Sequence, residues 1–330
     1  MADLTTSYMG LLLKNPIIVG SSGLTTSLEK IKELEANGAA AVVLKSLFEE
    51  EILLETKKHL ESAKADSLIY SDNSETLDYI DLHLKEDVLH NYLNLIRQLK
   101  KEVLIPVIAS INCISDSEWT GFAGKIEEAG ADALELNIFL NPTDGSCLDF
   151  EQSHKNIVSH VLSKVKIPVA AKLGQYFSKP GEFITNLSKT GLGAVVLFNR
   201  FYLPDIDLDK MTLKEAEIFS SPVEFSQVLR WIGILYGKLN CSLAASTGIH
   251  DGPAVIKQIL AGADAVHVVS AIYKHGPQRI SEMLFEIEKW MDQKGFNYIS
   301  QFKGKLSMDK GSNQASYERM QFMKYFGGIK

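Results

Sequence analysis

The sequence predicts an α/β protein, a (β/α)8 TIM barrel forming a single domain over residues 1–330, with an insertion after the second strand and a C-terminal helical extension. Three observations predict it. Short β-rich apolar runs alternate with longer helical patterns, the signature of a parallel sheet carrying helices. The runs are apolar almost throughout, as strands covered on both faces are. Eight of them fit within 330 residues. An open doubly wound sheet would leave eight parallel strands without closure, whereas a barrel closes them and places an active site at their C-terminal ends.

In order, the runs are IIVG from Ile17, AVVLK from Ala41, VIAS from Val107 and LELN from Leu134. They continue with VAAK from Val169, AVVLF from Ala194, SLAAS from Ser242 and AVHVV from Ala265. Helical patterns lie between them. SLEKIKELEANG opens on Ser27, a residue type that caps orphan N–H groups, and stops at Gly38, with acid before base on one face. SEWTGFAGKIEEAG stops at Gly130 and GPAVIKQILAG at Gly262, where glycine suits a left-handed C-cap. Residues 49–100, which include KADSLIYSDNSETLDYID, are too many for a plain loop in a compact domain. They predict a helix plus a segment over the barrel mouth. Residues 309–330 include the aromatic, amphipathic SYERMQFMKYFGGIK, which predicts a helix packed on the barrel exterior or on a partner chain.

Composition removes several function classes. Hydrophobic content of 45% and charged content of 23% fit a globular protein with a substantial core. A net charge of −7 with scattered Lys and Arg argues against nucleic-acid binding, which needs clustered cations. MADLTTSYMG has no cationic segment ahead of an apolar one, and runs such as VLIPVIASI are too short to span a bilayer. A cytoplasmic protein without membrane contact is expected. Three widely spaced cysteines, Cys113, Cys147 and Cys241, point to reduced thiols and are too few for a four-thiolate cluster. The absence of HExxH, CxxC and EF-hand spacings predicts no protein-held metal.

The strand ends carry the chemistry. After the seventh run stand Ser246, Thr247 and Gly248, and after the eighth Val269, Ser270 and Ala271. Loops at these two places of a barrel commonly hold a phosphate with backbone N–H groups and small hydroxyls, although STG is also ordinary turn chemistry. Lys45 ends the second run and Lys172 the fifth. Each is open to three roles: holding an anion, serving as a Schiff-base nucleophile, or snorkelling to the surface. Asn112, Asn137 and Asn199 end the third, fourth and sixth runs, amides suited to a planar ligand with amide-like edges. Glu135 is a buried acid within the fourth run.

These residues resemble the dihydroorotate dehydrogenase family, flavin enzymes on a (β/α)8 barrel. The likeness runs from about Asn15 to Leu306, apart from the insertion. NPIIVGSSG is similar to the family's first strand and flavin-contacting turn, VVLKS to its second strand with a flavin-adjacent lysine, and ALELN to its fourth. VAAKL resembles the strand whose lysine touches the flavin ring. AASTGIHDGPAVIKQILAGADAVHVVSAIYKHGP resembles the FMN-phosphate region at full length, and GFNYISQFKGKL the C-terminal end of the soluble members.

The resemblance implies FMN as cofactor, with its phosphate at Thr247, Gly248, Ser270 and Ala271. It implies Ser21, Ser22, Gly23, Ser46 and Asn137 near the ring, with Lys45 and Lys172 polarising it. Substrate would meet Lys45, Asn137 and Asn199, with Lys45 also counted among the catalytic groups. It further implies a homo-oligomer, a small-molecule substrate, and reoxidation by a soluble acceptor or a partner protein. The fourth strand departs from the pattern. The family's Ser-Cys-Pro-Asn segment, which supplies the catalytic base, is replaced by IFLNP, so Phe139 stands at the serine and Leu140 at the cysteine. Leu140 cannot accept a proton. Cys147 is the thiol left on that loop, a candidate base or a packed loop cysteine; Asp144 and Ser146 are weaker candidates. The asparagine-bearing loop expected after the second strand is not recognisable in residues 49–81, and Val269 stands where the family has glycine. Two further readings stay open, an FMN enzyme for a different unsaturated substrate and a Schiff-base lyase using Lys172 or Lys45.

Overall fold

The computed structural model describes residues 2–48, 74–113, 120–140, 149–201, 203–215, 217–310 and 317. Eight parallel strands close into a barrel: β3 (Ile17–Val19), β4 (Ala41–Val43), β5 (Val107–Cys113), β6 (Ala133–Ile138), β7 (Val169–Leu173), β8 (Ala194–Leu197), β11 (Ser242–Ser246) and β12 (Ala265–Val268). They are the eight apolar runs of the sequence, in order. The last pairs with the first, Val266 to Val268 lying against Ile17 to Val19.

Two cores follow from the alternation of side chains along each strand. One residue set, including Val19, Val42, Leu134, Leu136, Val195 and Val266, packs outward under the helices. The other set faces the barrel axis: Ile18, Val43, Ile108, Ala133, Ala170, Ala194, Ala244 and Ala265. Small alanines dominate this inner layer. Tyr8, Met9 and Leu13 complete it from an N-terminal hairpin, β1 (Thr6–Tyr8) and β2 (Leu11–Leu13), that plugs the barrel floor. The hairpin is tied down across the chain, with Thr6 Oγ1 donating to the Asp264 carbonyl at 2.9 Å and Met9 N donating to Ser242 Oγ at 3.1 Å.

The sequence GADA occurs before strand β6 and before strand β12, at Gly130–Ala133 and Gly262–Ala265. Both glycines have positive φ, +97° and +128°, which removes the Cβ clash a side chain would meet. Both aspartates accept an N–H at the start of the preceding strand, Asp132 from Val107 and Asp264 from Leu243, each at 2.8 Å. A lysine closes each, Lys100 on Asp132 at 2.7 Å and Lys303 on Asp264 at 2.6 Å.

Helices α1 (Leu28–Ala36), α2 (Ser74–Glu102), α3 (Thr120–Glu128), α4 (Phe150–Leu162), α5 (Pro180–Ser188), α6 (Phe225–Leu235), α7 (Gly252–Ala261), α8 (Ser270–His275) and α9 (Arg279–Lys294) follow the strands. Ser27, Asp149 and Asp251 cap α1, α4 and α7 by accepting the N–H of Lys30, Gln152 and Ala254. Helix α2 occupies much of the stretch expected as an insertion; the part expected over the mouth falls on residues outside those described. So does most of the C-terminal extension, where Tyr317 is described and packs against Gly233 of α6, its hydroxyl donating to the Leu306 carbonyl. A second hairpin, β9 (Pro204–Asp207) with β10 (Thr212–Glu215), follows β8 and was not expected from the sequence. Among the described residues no helix is long and apolar enough to cross a membrane.

Candidate active site

The period-two rule carries inward-facing positions upward from the alanine layer to the C-terminal mouth. Two residues beyond Ala170 stands Lys172, beyond Ala265 stands His267, and beyond Ala244 stands Ser246; Ile108 leads to Ser110 and Asn112, and Ala133 to Glu135 and Asn137. The sequence thus changes from apolar to polar along the barrel axis. A cleft of ≈ 630 Å³, open to solvent, lies at this mouth.

One end of the cleft is built from hydroxyls and backbone. Thr247 and Gly248 both have left-handed backbone, φ +81° and +76°. Such a conformation is costly at Thr247, and its Oγ1 holds it by donating to the Phe198 carbonyl at 3.1 Å. Gly248 permits no side chain, because a Cβ there would lie 2.2 Å from the Phe225 nitrogen at the start of α6. The Gly248 N–H donates to Ser220 Oγ at 3.3 Å, and the Ser220 N–H donates to Ser270 Oγ at 3.0 Å. Ser220 Oγ also meets His250 Nε2 at 3.0 Å, and Lys274 Nζ donates to the Ser220 carbonyl at 3.2 Å. Val269, where glycine was expected, is accommodated by Gly20: a Cβ at Gly20 would approach its Cγ2 to 3.0 Å.

The other end carries amides and a lysine. Lys172 is 9% exposed, and Asn199 Nδ2 donates to Asn137 Oδ1 at 2.9 Å. From the first strand, Ser21 Oγ lies 3.1 Å from Ser46 Oγ, which lies 2.7 Å from Ser110 Oγ. Tyr92 of α2 fixes this chain by accepting the Ser110 N–H at 2.8 Å. Arg200, beside Asn199, is turned to Glu224 at 2.9 Å and to the Ile218 carbonyl at 2.8 Å, so its charge is balanced. Around the rim stand three aromatic rings. Tyr176 lies 4.5 Å and Phe139 5.9 Å from the Phe201 ring centroid, and Phe139 and Tyr176 are 42% and 56% exposed. Leu140 turns away and packs on the outer core.

Below Lys172 lies a buried polar group. His267 Nδ1 is 3.7 Å from Glu135 Oε2, and the Tyr8 ring stands edge-on to His267 at 6.4 Å. Burial raises the Glu135 carboxyl above its ordinary range, with the Lys172 charge pulling the other way. Burial, assisted by the same charge, lowers His267 to about 3. The imidazole is uncharged at neutral pH, so its contact with Glu135 is not an ion pair.

Of the residues expected at the site, Ser21, Lys172, Asn199, Thr247, Gly248 and Ser270 line the cleft together. Asn137 joins through Asn199 and Ser46 through Ser21. Ser22 instead caps a short turn, accepting the Leu24 N–H at 3.3 Å, and Gly23 packs under the Tyr273 hydroxyl, 2.7 Å from where its Cβ would be. Ala271 is fully buried within α8. Lys45 is half-buried at the end of the second strand, outside the cleft lining. Cys147, Asp144 and Ser146 lie outside the described residues. Arg200, Ser220 and His267 also line the cleft and were not anticipated. His267 was within reach of period-two counting; Ser220 sits in a loop without a signal of its own.

The profile of the family described as Dihydroorotate dehydrogenase matches residues 3–291. The chain belongs to the dihydroorotate dehydrogenase family. The catalytic subunit of dihydroorotate dehydrogenase B (NAD(+)) from Thermoplasma volcanium is 30% identical over 311 residues, 92% of this chain and 98% of that one. A putative dihydroorotate dehydrogenase A (fumarate) from Aeropyrum pernix is 29% identical over 217 residues, 64% of this chain and 70% of that one. Dihydroorotate dehydrogenase A (fumarate) from Lactococcus lactis subsp. lactis is 23% identical over 321 residues, 92% and 99% of the two chains. As a dihydroorotate dehydrogenase family member, the chain is a flavoprotein-type oxidoreductase acting on CH–CH bonds, and the Schiff-base lyase reading is not favoured.

Proposed function

We propose that the chain binds FMN and oxidises dihydroorotate or a related small cyclic substrate by hydride transfer to it. The observation that supports this best is the chemistry of the cleft lining. Hydroxyls and the left-handed turn at Thr247, Gly248, Ser220 and Ser270 occupy one end, Lys172 and Asn199 the other, and no carboxylate lies among the lining residues. Such a donor set fits a phosphomonoester at one end and a ring with carbonyl edges at the other. One phosphate-type end favours FMN over a dinucleotide. Bound there, FMN supplies the hydride-accepting centre.

The chain's own residues do the rest. Thr247, Gly248, Ser270 and Ser220 hold the phosphate, and Ser21 with Ser46 supports the ring from the first two strands. Lys172 offers a positive charge where negative charge grows during reduction. The Asn137–Asn199 pair leaves three N–H donors and the Asn199 carbonyl for substrate, with Lys45 at the end of β4, two strands from β6. Phe139, Tyr176 and Phe201 wall the mouth against water, which favours a flat ring over an extended polar one. Leu140 cannot take the substrate proton, so Cys147 is the candidate base on that loop. The protein is expected in the cytoplasm as a homo-oligomer, passing electrons to a soluble acceptor or a partner protein.

Purification without added cofactor, mass spectrometry of what is released, and stopped-flow mixing with dihydroorotate test the proposal. FMN and substrate-dependent bleaching of its absorbance are expected. Recovery of FAD, or of no flavin, would refute it.

A further inference from the structure

Low in the barrel interior, three polar side chains have buried atoms with no hydrogen-bond partner among the described residues: Tyr8 Oη, Glu135 Oε1, and both ring nitrogens of His267; Asn112 Oδ1 is another, at the end of β5. Tyr8, Glu135 and His267 are at most 3% exposed. Directly above them, Lys172 makes no hydrogen bond or ion pair among the described residues, although Glu135 is near enough to act on it electrostatically. This combination is informative. An ionised Glu135 in a dry interior would draw in every available donor, because an unsolvated carboxylate costs several kcal/mol. The Lys172 ammonium is the donor at hand. Yet no Lys172–Glu135 ion pair within 4.0 Å forms, and a neutral imidazole nitrogen lies 3.7 Å from Oε2.

We propose that Glu135 is a positioning residue kept as an uncharged carboxylic acid beneath the site, so that the Lys172 ammonium is left uncompensated by protein and free for an anionic partner at the mouth. The partner at the mouth rests on the FMN reading above; the state of Glu135 does not. The groups facing Glu135 are consistent with this. Tyr8 comes from the floor hairpin, Lys172 from β7 and His267 from β12, while Tyr92 lies behind it on α2. Lys172 is the one cation among them, and neither tyrosine nor the imidazole is charged at neutral pH. Once pH is raised far enough to ionise Glu135, its charge is delivered to Lys172, and the hold on an anion weakens. The interior carboxyl therefore gates the lysine.

Infrared difference spectroscopy of the purified protein reads Glu135 directly, since it is the one carboxylic acid among the described buried residues. A protonated-carboxyl band at pH 7, absent from Glu135→Gln, is expected; no such band would overturn the proposal. If Glu135→Gln does not fold, the band's shift on 13C-glutamate labelling of the wild-type protein gives the same answer. In flavin-loaded protein, Glu135→Gln should leave the midpoint potential at pH 7 unchanged, a neutral group replacing a neutral one. Above neutrality the wild-type potential should fall more steeply with pH than that of the variant. A higher potential in Glu135→Gln at pH 7 would mean that a negative charge had been removed, and would overturn the idea. Protein purified without flavin would defeat the cofactor reading alone, and the infrared band would still judge Glu135.

Discussion

Asn199 donates its side-chain amide to the carbonyl oxygen of Asn137 at 2.9 Å, joining the ends of β8 and β6 across the intervening strand β7. The bond fixes which way both amides point. Asn137 is left with two donors and Asn199 with one donor and one acceptor, a pattern that can meet both the N–H and the carbonyl of a ring amide. Asn199→Ala frees Asn137 to rotate and removes the acceptor. A hydrogen bond is worth about 0.5–1.5 kcal/mol, so substrate affinity should weaken by roughly 2–10-fold with flavin content unchanged. Substrate titration of flavin reduction measures this, and an unaltered half-saturation point would place substrate elsewhere.

Lys172→Met should lower the midpoint potential of the bound flavin, because reduction then loses its neighbouring positive charge. An interaction of about 1.4 kcal/mol corresponds to roughly 30 mV in a two-electron couple. Lys45→Met should shift it less, since Lys45 is half-buried and Lys172 is buried. Spectroelectrochemical titration of both variants decides, and equal potentials in all three proteins would place both lysines away from the ring.

Ser270→Glu should empty the protein of flavin by setting a carboxylate against the phosphate, whereas Ser270→Ala should only weaken retention. Ser270 Oγ accepts the Ser220 N–H, so the alanine variant loses one neutral hydrogen bond. The ratio of flavin to protein absorbance reports both. Full flavin content in Ser270→Glu would move the phosphate to another place.

His267 makes the fold acid-sensitive. Buried and neutral, it titrates near 3, whereas in the unfolded chain it takes a proton at about 6.5. Between these values the unfolded state binds more protons, so stability falls as pH drops through the window. At pH 5 the loss is about 2 kcal/mol. Thermal melts of His267→Gln should therefore decline less between pH 7 and pH 5 than those of the wild type; parallel declines would contradict the assignment.

Dihydroorotate should reduce the flavin slowly. Removing a general base costs about 10²–10⁴-fold in rate, and Leu140 packs on the outer core where the family pattern places its thiol. Cys147→Ala should abolish whatever rapid phase the wild type shows. Rapid reduction that survives Cys147→Ala would end the idea of a displaced base.

The eight barrel strands were legible because each is buried on both faces and reads as an unbroken apolar run. Glycines at 38, 130 and 262 marked helix ends for a conformational reason, their positive φ. The two hairpins were hidden. Their strands are three or four residues long, PDID is polar and begins with proline, and the floor hairpin depends on contacts with distant chain. Lys172, Asn137, Asn199, Thr247, Gly248 and Ser270 were legible at strand ends. Ser22 takes the local role open to a serine beside a turn, capping that turn. Cooperation between Glu135, His267 and Tyr8 was illegible, since each sits in a separate apolar run and only barrel closure sets them side by side.

The floor hairpin also constrains when the interior becomes dry. Thr6 and Met9 wait for partners 258 and 233 residues further along the chain, and β3 waits for β12. During synthesis this hairpin leaves the ribosome ahead of the barrel strands, yet it is among the last parts of the barrel to find its place. Until the eighth barrel strand emerges, water reaches Glu135 and Lys172 from below, and nascent chains carry an unpaired strand edge at β3.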